Sequence, residues 1–301
     1  LKYTFVTVAH GDDIGWQQLQ ARSMQLYMPL DLVAEIIVVE NSTSGQSTKW
    51  RDVLGREYGA LAPLVRFIEA KEIAEMPSQT GGWFSQQVLK LMVSQIVTTD
   101  RYVQLDAKNH LVFALARTFL EAGSRIRSRL ESYHSHPMKP VFERTLCYFG
   151  MDPSEHVAAF LPTTTPFTLP TSVVRDLVKY VAEREKKPFP LAFLGLGLSE
   201  FFLFASFIIS SGRKIQDIYD LSGSACPTIW EESARGGVDN IARLIAQGQR
   251  NGLPFFAVHR RAVPELNEAS RWTIADFWHQ RGLFKTVREG VNFLGVPHST
   301  E

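Results

Sequence analysis

The chain has 301 residues, 45% of them hydrophobic and 21% charged, which is enough to bury a sizeable core. Its 32 Lys and Arg against 31 Asp and Glu leave a formal charge of +1, excluding the global field that would recruit nucleic acid or a membrane surface. Any anion site must therefore be local. Cys147 and Cys226 lie far apart and match no metal-ligand spacing, so free thiols and a reducing compartment are expected.

The amino end enters a strand pattern at once, Thr4 to Ala9, with none of the basic, apolar and small-residue succession that marks an export signal. His10-Gly11-Asp12-Asp13 then leads into an amphipathic helix around Trp16 to Tyr27, and a second strand, Ile36 to Val39, ends at Glu40-Asn41-Ser42. A helix about Thr48 to Tyr58, a strand Leu64 to Ile68, a polar loop with Pro77 and Gly81-Gly82, and a helix from Trp83 to about Val97 follow. The next strand, Tyr102 to Leu105, runs into Asp106-Ala107-Lys108-Asn109. Strands alternating with helices in this way predict an α/β fold with a mainly parallel sheet and crossover helices on its faces.

Arg125 to Pro140 reads as an exposed excursion, with His134 and His136 in a solvated loop rather than a metal site. Leu161 to Thr171 carries three prolines and five threonines and is expected to be extended, leading into a helix from about Ser172 to Glu183. Phe193 to Leu198 reads as a glycine-rich approach to an apolar helix, Ser199 to Ser210. Its apolar run, Phe201 to Ile209, falls short of the ~20 residues that span a bilayer, so a buried helix is expected, with peripheral membrane contact left open. In the last third come a helix Asp239 to Gln249, a strand Phe255 to Val258, His259-Arg260-Arg261, and a helical pattern whose Trp272, Phe277 and Trp278 read as packing anchors.

Neighbouring parallel strands end on one side of a sheet, so Ala9-His10-Gly11-Asp12-Asp13, Glu40-Asn41-Ser42 and Asp106-Ala107-Lys108-Asn109 are expected to converge on one crevice, where open α/β sheets bind ligands. The plainer alternative for Asp106 is turn chemistry after a strand. Glu40 fits a ribose or base contact, or equally a loop acid. No Gly-x-Gly-x-x-Gly follows the first strand, and neither a P-loop nor a Gly-x-Ser-x-Gly elbow is present, which lowers hydride transfer, ATP hydrolysis and serine hydrolysis in rank. Just before the Asp106 strand, Gly82, Trp83, Gln87 and Lys90 open a helix on which Trp83, Gln87 and Lys90 share a face suited to hydroxyls, or simply to solvent.

The acid ending the second strand, the Gly-Trp-x-x-Gln-Gln helix and the strand ending in Asp106 together resemble a GT-A-type glycosyltransferase, in particular a little-characterised group of bacterial polysaccharide-biosynthesis proteins. The resemblance implies one GT-A-like domain over residues 1–301, with a nucleotide-binding half, 1–110, and an acceptor-side half, 111–301. It also implies a nucleotide-sugar donor, a glycan or lipid-linked glycan acceptor, and a cytoplasmic location at the inner face of the membrane, as for capsule or lipopolysaccharide synthesis. Where such enzymes carry Asp-x-Asp for a divalent metal, this chain has Lys108 in place of the second acid. Two readings of the site follow. In the favoured one, Asp106 and His259 hold Mn²⁺ or Mg²⁺, with Asn109 as an added oxygen ligand. In the other, Lys108, Arg260 and His259 hold the diphosphate directly. By the same resemblance Glu200, at a helix start in a setting read as apolar, is the candidate general base for the acceptor hydroxyl, its plainer role being helix capping. The rival functions are another nucleotide-sugar or nucleotidyl transferase, and a catalytically inactive carbohydrate-binding relative.

Overall fold

In β1 (Tyr3–Ala9) all seven residues are buried, as befits a strand covered on both faces, where a one-sided strand would alternate. With β2 (Val33–Glu40), β3 (Val65–Glu69) and β4 (Arg101–Leu105) it forms a parallel array in the order β3-β2-β1-β4. The registers set Ala9 beside Glu40 and Glu40 beside Glu69, and pair Thr7 with Leu105, so the carboxyl ends of the strands share one edge. The computed structural model describes residues 1–41, 47–77 and 80–295; Ser42 of the polar run after β2 lies outside them.

The remaining strands are short: β5 (Asn109–Leu111), β6 (Glu121–Ala122), β7 (Arg125–Arg127), β8 (Phe167–Pro170), β9 (Tyr219–Asp220), β10 (Thr228–Ile229) and β11 (Phe255–Val258). The Pro- and Thr-rich segment expected only to be extended supplies β8, which pairs antiparallel with β4 at the sheet edge. Its prolines are tolerated because an edge strand need not donate on both sides. β11 lies between β10, to which it runs parallel, and β5, to which it runs antiparallel, with Ala257 opposite Asn109. That pairing carries His259 and Arg260, from the far end of the sequence, back to the turn after β4.

Helices Ile14–Tyr27, Ser47–Tyr58 and Gly82–Met92 flank the sheet; the last is continued by a 3₁₀ turn, Val93–Gln95, rather than running unbroken to Val97. The apolar helix Glu200–Ser210 is buried from Glu200 to Ile208, and its Phe202 packs edge-on against Tyr133 and Phe142. The approach to it is not an open glycine segment: Phe189–Leu196 is a helix ended by Gly197 at φ +60°. A Cβ on Gly197 would lie 2.6 Å from the Arg144 guanidinium, which donates to the Gly197 carbonyl at 3.0 Å. The left-handed backbone favours glycine there, and a side chain would also push the Arg144 guanidinium aside. Among the described residues no single helix is long and apolar enough to cross a membrane. Of the aromatics read as anchors, Phe277 and Trp278 are buried, while Trp272 is exposed.

Candidate active site

The turn after β4 is held closed from several sides. Asn109 N donates to Asp106 O at 2.9 Å, and Asn109 Oδ1 accepts from Asp106 N at 2.8 Å. From the Ile14–Tyr27 helix, Gln20 Nε2 donates to the carbonyls of Asp106 and Asn109, both at 2.8 Å, while Thr7 of β1 donates to Gln20 Oε1. Asn109 is fully buried, and its amide nitrogen faces Thr165 O at 3.2 Å and Cys226 Sγ at 3.9 Å. This corrects the expectation that Asn109 offers an oxygen to a ligand: its Oδ1 closes the turn on Asp106 N, and its Nδ2 ties the turn to Thr165 O. Cys147 and Cys226 are free thiols, and burial pushes the Cys226 thiol up to about 12.

Within this turn Asp106 meets two ammonium groups. Lys90 Nζ lies 2.8 Å from its Oδ1, and Lys108 Nζ contacts its Oδ2. Thr165 Oγ1 is 2.9 Å from Asp106 Oδ2 and 2.7 Å from Asn109 Oδ1, and its single hydrogen serves one of them at a time. Burial alone would raise the Asp106 carboxyl, but Lys108 and Lys90 outweigh it and hold the group well below the usual carboxylate range.

Lys90 is 5% exposed and reaches a second carboxylate, Glu200 Oε1, at 3.3 Å. Burial disfavours its charge, yet Asp106 and Glu200 together drive its proton affinity above the ordinary lysine value. The setting of Glu200 is therefore not apolar, as expected from its sequence neighbours, because an ammonium from a helix 110 residues earlier lies against it. Ser199 precedes Glu200 as the N-cap residue and donates its hydroxyl to Glu200 Oε2 at 3.2 Å, and Gln87 Oε1 accepts from Glu200 N at 3.4 Å. The face shared by Trp83, Gln87 and Lys90 runs from outside to inside: Trp83 is 51% exposed, Gln87 only 1%. Local sequence cannot reveal that gradient, because helices packed on Lys90 create it.

Around the rim, Asn41 N donates to Ala9 O at 2.8 Å, and Asn41 Nδ2 donates to Gly82 O and to Ser85 Oγ. The ends of β1 and β2 are thereby tied to the start of the Gly82–Met92 helix. Glu40 is buried at the end of β2. His10 Nδ1 accepts from Asp12 N at 3.4 Å, while Asp13 accepts from His10 N and lies 3.9 Å from Arg260. Burial raises the Asp13 carboxyl despite the His10 and Arg260 partners. Arg260 thus approaches this edge from the far end of the chain, as β11 dictates.

His259 packs against Trp230 with ring centroids 4.8 Å apart and the rings tilted by 39°, and its Nδ1 is 3.6 Å from Glu231. Burial, then the neighbouring Lys108 charge, push His259 down to about 4. Lys108 also lies 5.4 Å from the Trp230 ring centre. These surroundings do not fit a resident divalent cation. Among the described residues no three of His, Cys, Asp and Glu converge to hold one, and lysines already neutralise Asp106. The pairing of Asp106 with His259 as metal ligands, favoured from sequence, is corrected accordingly. Thr165, Gln20, Trp230 and Glu231 carry no motif; only chain pairing far from β4 brings them here.

His110 follows this turn. Trp278 Nε1 donates to His110 Nε2 at 2.8 Å, which places the His110 proton on Nδ1, 3.1 Å from Lys108 O. Burial pushes His110 down to about 4. The unfolded chain therefore takes up a proton near the free-histidine value of about 6.5, which the folded state refuses until about 4, so this contribution to stability is complete above about 6.5 and falls with acidification. The expected loss is about 3 kcal/mol between those limits. Urea unfolding of wild type and His110→Asn from pH 7.5 to 4.5 checks it: the variant's profile should be flatter, and parallel profiles would contradict the assignment.

The family described as "Family of unknown function (DUF6492)" matches residues 11–221. The chain belongs to that family. The DUF6492 match contains Lys90, Asp106, Lys108, Thr165 and Glu200 and stops before Trp230, His259 and Arg260. No curated protein matches the sequence. Among solved structures, the chain is similar to the galactosyltransferase LgtC in complex with donor and acceptor sugar analogs, at 11% identity over 94% of this chain and 96% of that one, with TM-score 0.54. It is also similar to the bifunctional glycosyltransferase WbbM, at 12% identity over 97% of this chain and 51% of that one, with TM-score 0.52. These likenesses establish that this DUF6492 chain has the GT-A glycosyltransferase fold.

Proposed function

We propose that the protein is a glycosyltransferase that moves a sugar from a nucleotide donor to a hydroxyl of a glycan or lipid-linked glycan acceptor, in the synthesis of a bacterial surface polysaccharide. One observation carries this reading: on a sheet of GT-A type, the carboxyl ends of β1, β2 and β4 share an edge at which Asp106 is the acid after β4. In open α/β sheets that edge is where ligands bind. The buried Glu40 at the end of β2 supports a ribose or base contact, and Gly82 and Trp83 border the same side.

Glycosyl transfer needs an oriented donor, a stabilised leaving group and a base or positioning group for the acceptor. The clamp Asp106–Lys90–Glu200 supports the first and third needs. Asp106, anchored by its turn, has a place to orient the donor's hydroxyls. Glu200, across Lys90 from it, is the proposed acceptor-side carboxylate. The rigid connection between the two favours a fixed separation between donor and acceptor, since neither carboxylate can move without exposing a buried ammonium. The test is release of nucleoside diphosphate from a nucleotide sugar, with and without a hydroxyl acceptor.

A further inference from the structure

We propose that Lys108 does the work of the divalent cation at the donor site, holding the diphosphate by its ammonium group so that donor binding needs no metal. This rests on the nucleotide-sugar reading of the same edge. The argument begins with the charges. Asp106 has two cationic partners, and they are not equivalent: Lys90 is enclosed, shared with Glu200 and 5.3 Å from the Phe201 ring centre, whereas Lys108 is on the turn itself, beneath the partly exposed Trp230.

Lys90 is therefore fixed in place between Asp106 and Glu200. Lys108 has three N–H hydrogens on a flexible stem; one serves Asp106 Oδ2, leaving others for phosphate oxygens. A phosphate oxygen bound to an ammonium makes a charge-assisted hydrogen bond, roughly twice as strong as a neutral one. A divalent ion at Asp106 would instead have to displace or sit beside two ammonium groups, and the described residues supply no set of three acidic, His or Cys ligands to compensate. His259, the other candidate ligand, packs against the Trp230 ring that Lys108 also faces, and its Nδ1 lies 3.6 Å from Glu231.

Calorimetric titration of the intact chain with uridine, guanosine, adenosine, cytidine and thymidine diphosphates, each in excess EDTA and in Mn²⁺ or Mg²⁺, tests this. For the nucleotide that binds, affinities in chelator and in metal should agree within about twofold, Lys108→Ala should weaken binding by about tenfold or more, and Lys108→Arg, which keeps the charge, should recover most of it. Thermal melts of both variants report folding, which Lys90 should preserve by keeping Asp106 paired. Binding that requires the metal, or that is unchanged in a folded Lys108→Ala, overturns the inference and leaves the donor reading standing. Absence of binding for every nucleotide under both conditions overturns the donor reading, and this inference with it.

Discussion

Asp106→Ala is expected to destabilise the protein by about 3 kcal/mol, the low end of what breaking a buried ion pair costs, because Lys90 would keep only Glu200 as a partner. A strand-end acid facing open solvent would show almost no effect, and sequence alone gives Asp106 that character. The difference comes from Lys90, whose ammonium is too well enclosed for water to replace the lost carboxylate. Asp106→Asn keeps the size and one acceptor oxygen and should cost less. Urea unfolding at neutral pH separates the three proteins. An Asp106→Ala midpoint equal to wild type would mean that Lys90 is solvated and that the clamp does not exist.

Glu200→Gln is expected to lower turnover by about 10²–10⁴-fold with donor affinity little changed, the signature of a group that acts on the acceptor in the transition state. Glutamine preserves the carbonyl facing Lys90 and the helix start, so the fold should survive. Steady-state kcat and donor KM, measured beside a thermal melt, distinguish the outcomes. Lost stability at unchanged kcat would reduce Glu200 to a structural partner of Lys90, and a raised donor KM at unchanged kcat would move it to the donor side.

Much of the sheet was legible because its strands are short, mainly apolar runs ending in polar groups: β1, β4 and β11 lie where the strand patterns of Thr4 to Ala9, Tyr102 to Leu105 and Phe255 to Val258 put them. Failures arose where a long-range contact decides the local outcome. β8 exists because β4 has an open edge, and no reading of Pro166 or Pro170 alone reveals that partner. Gly195 and Gly197 read as a glycine-rich approach to the apolar helix, but one is inside a helix and the other ends it.

The site divides in the same way. Asp106 and Lys108 were visible as neighbours on one turn, whereas the contact of Lys90 with both Asp106 and Glu200 joins three segments. That contact also removes the grounds for a metal at Asp106 and His259. Asn109 was visible as a polar residue at a strand end, but whether its amide faces a ligand or its own turn depends on Thr165, 56 residues later.

The central claim, a nucleotide-sugar transferase with Asp106 at its donor site, is tested most directly by following nucleoside diphosphate and free or transferred sugar from a panel of nucleotide sugars, with wild type and Asp106→Asn side by side. The account predicts that one donor class yields nucleoside diphosphate and sugar in equal amounts with wild type, and that the folded Asp106→Asn variant yields neither above background. Transfer of the nucleotidyl group with loss of pyrophosphate, no turnover of any donor that binds, or wild-type turnover in Asp106→Asn would contradict it.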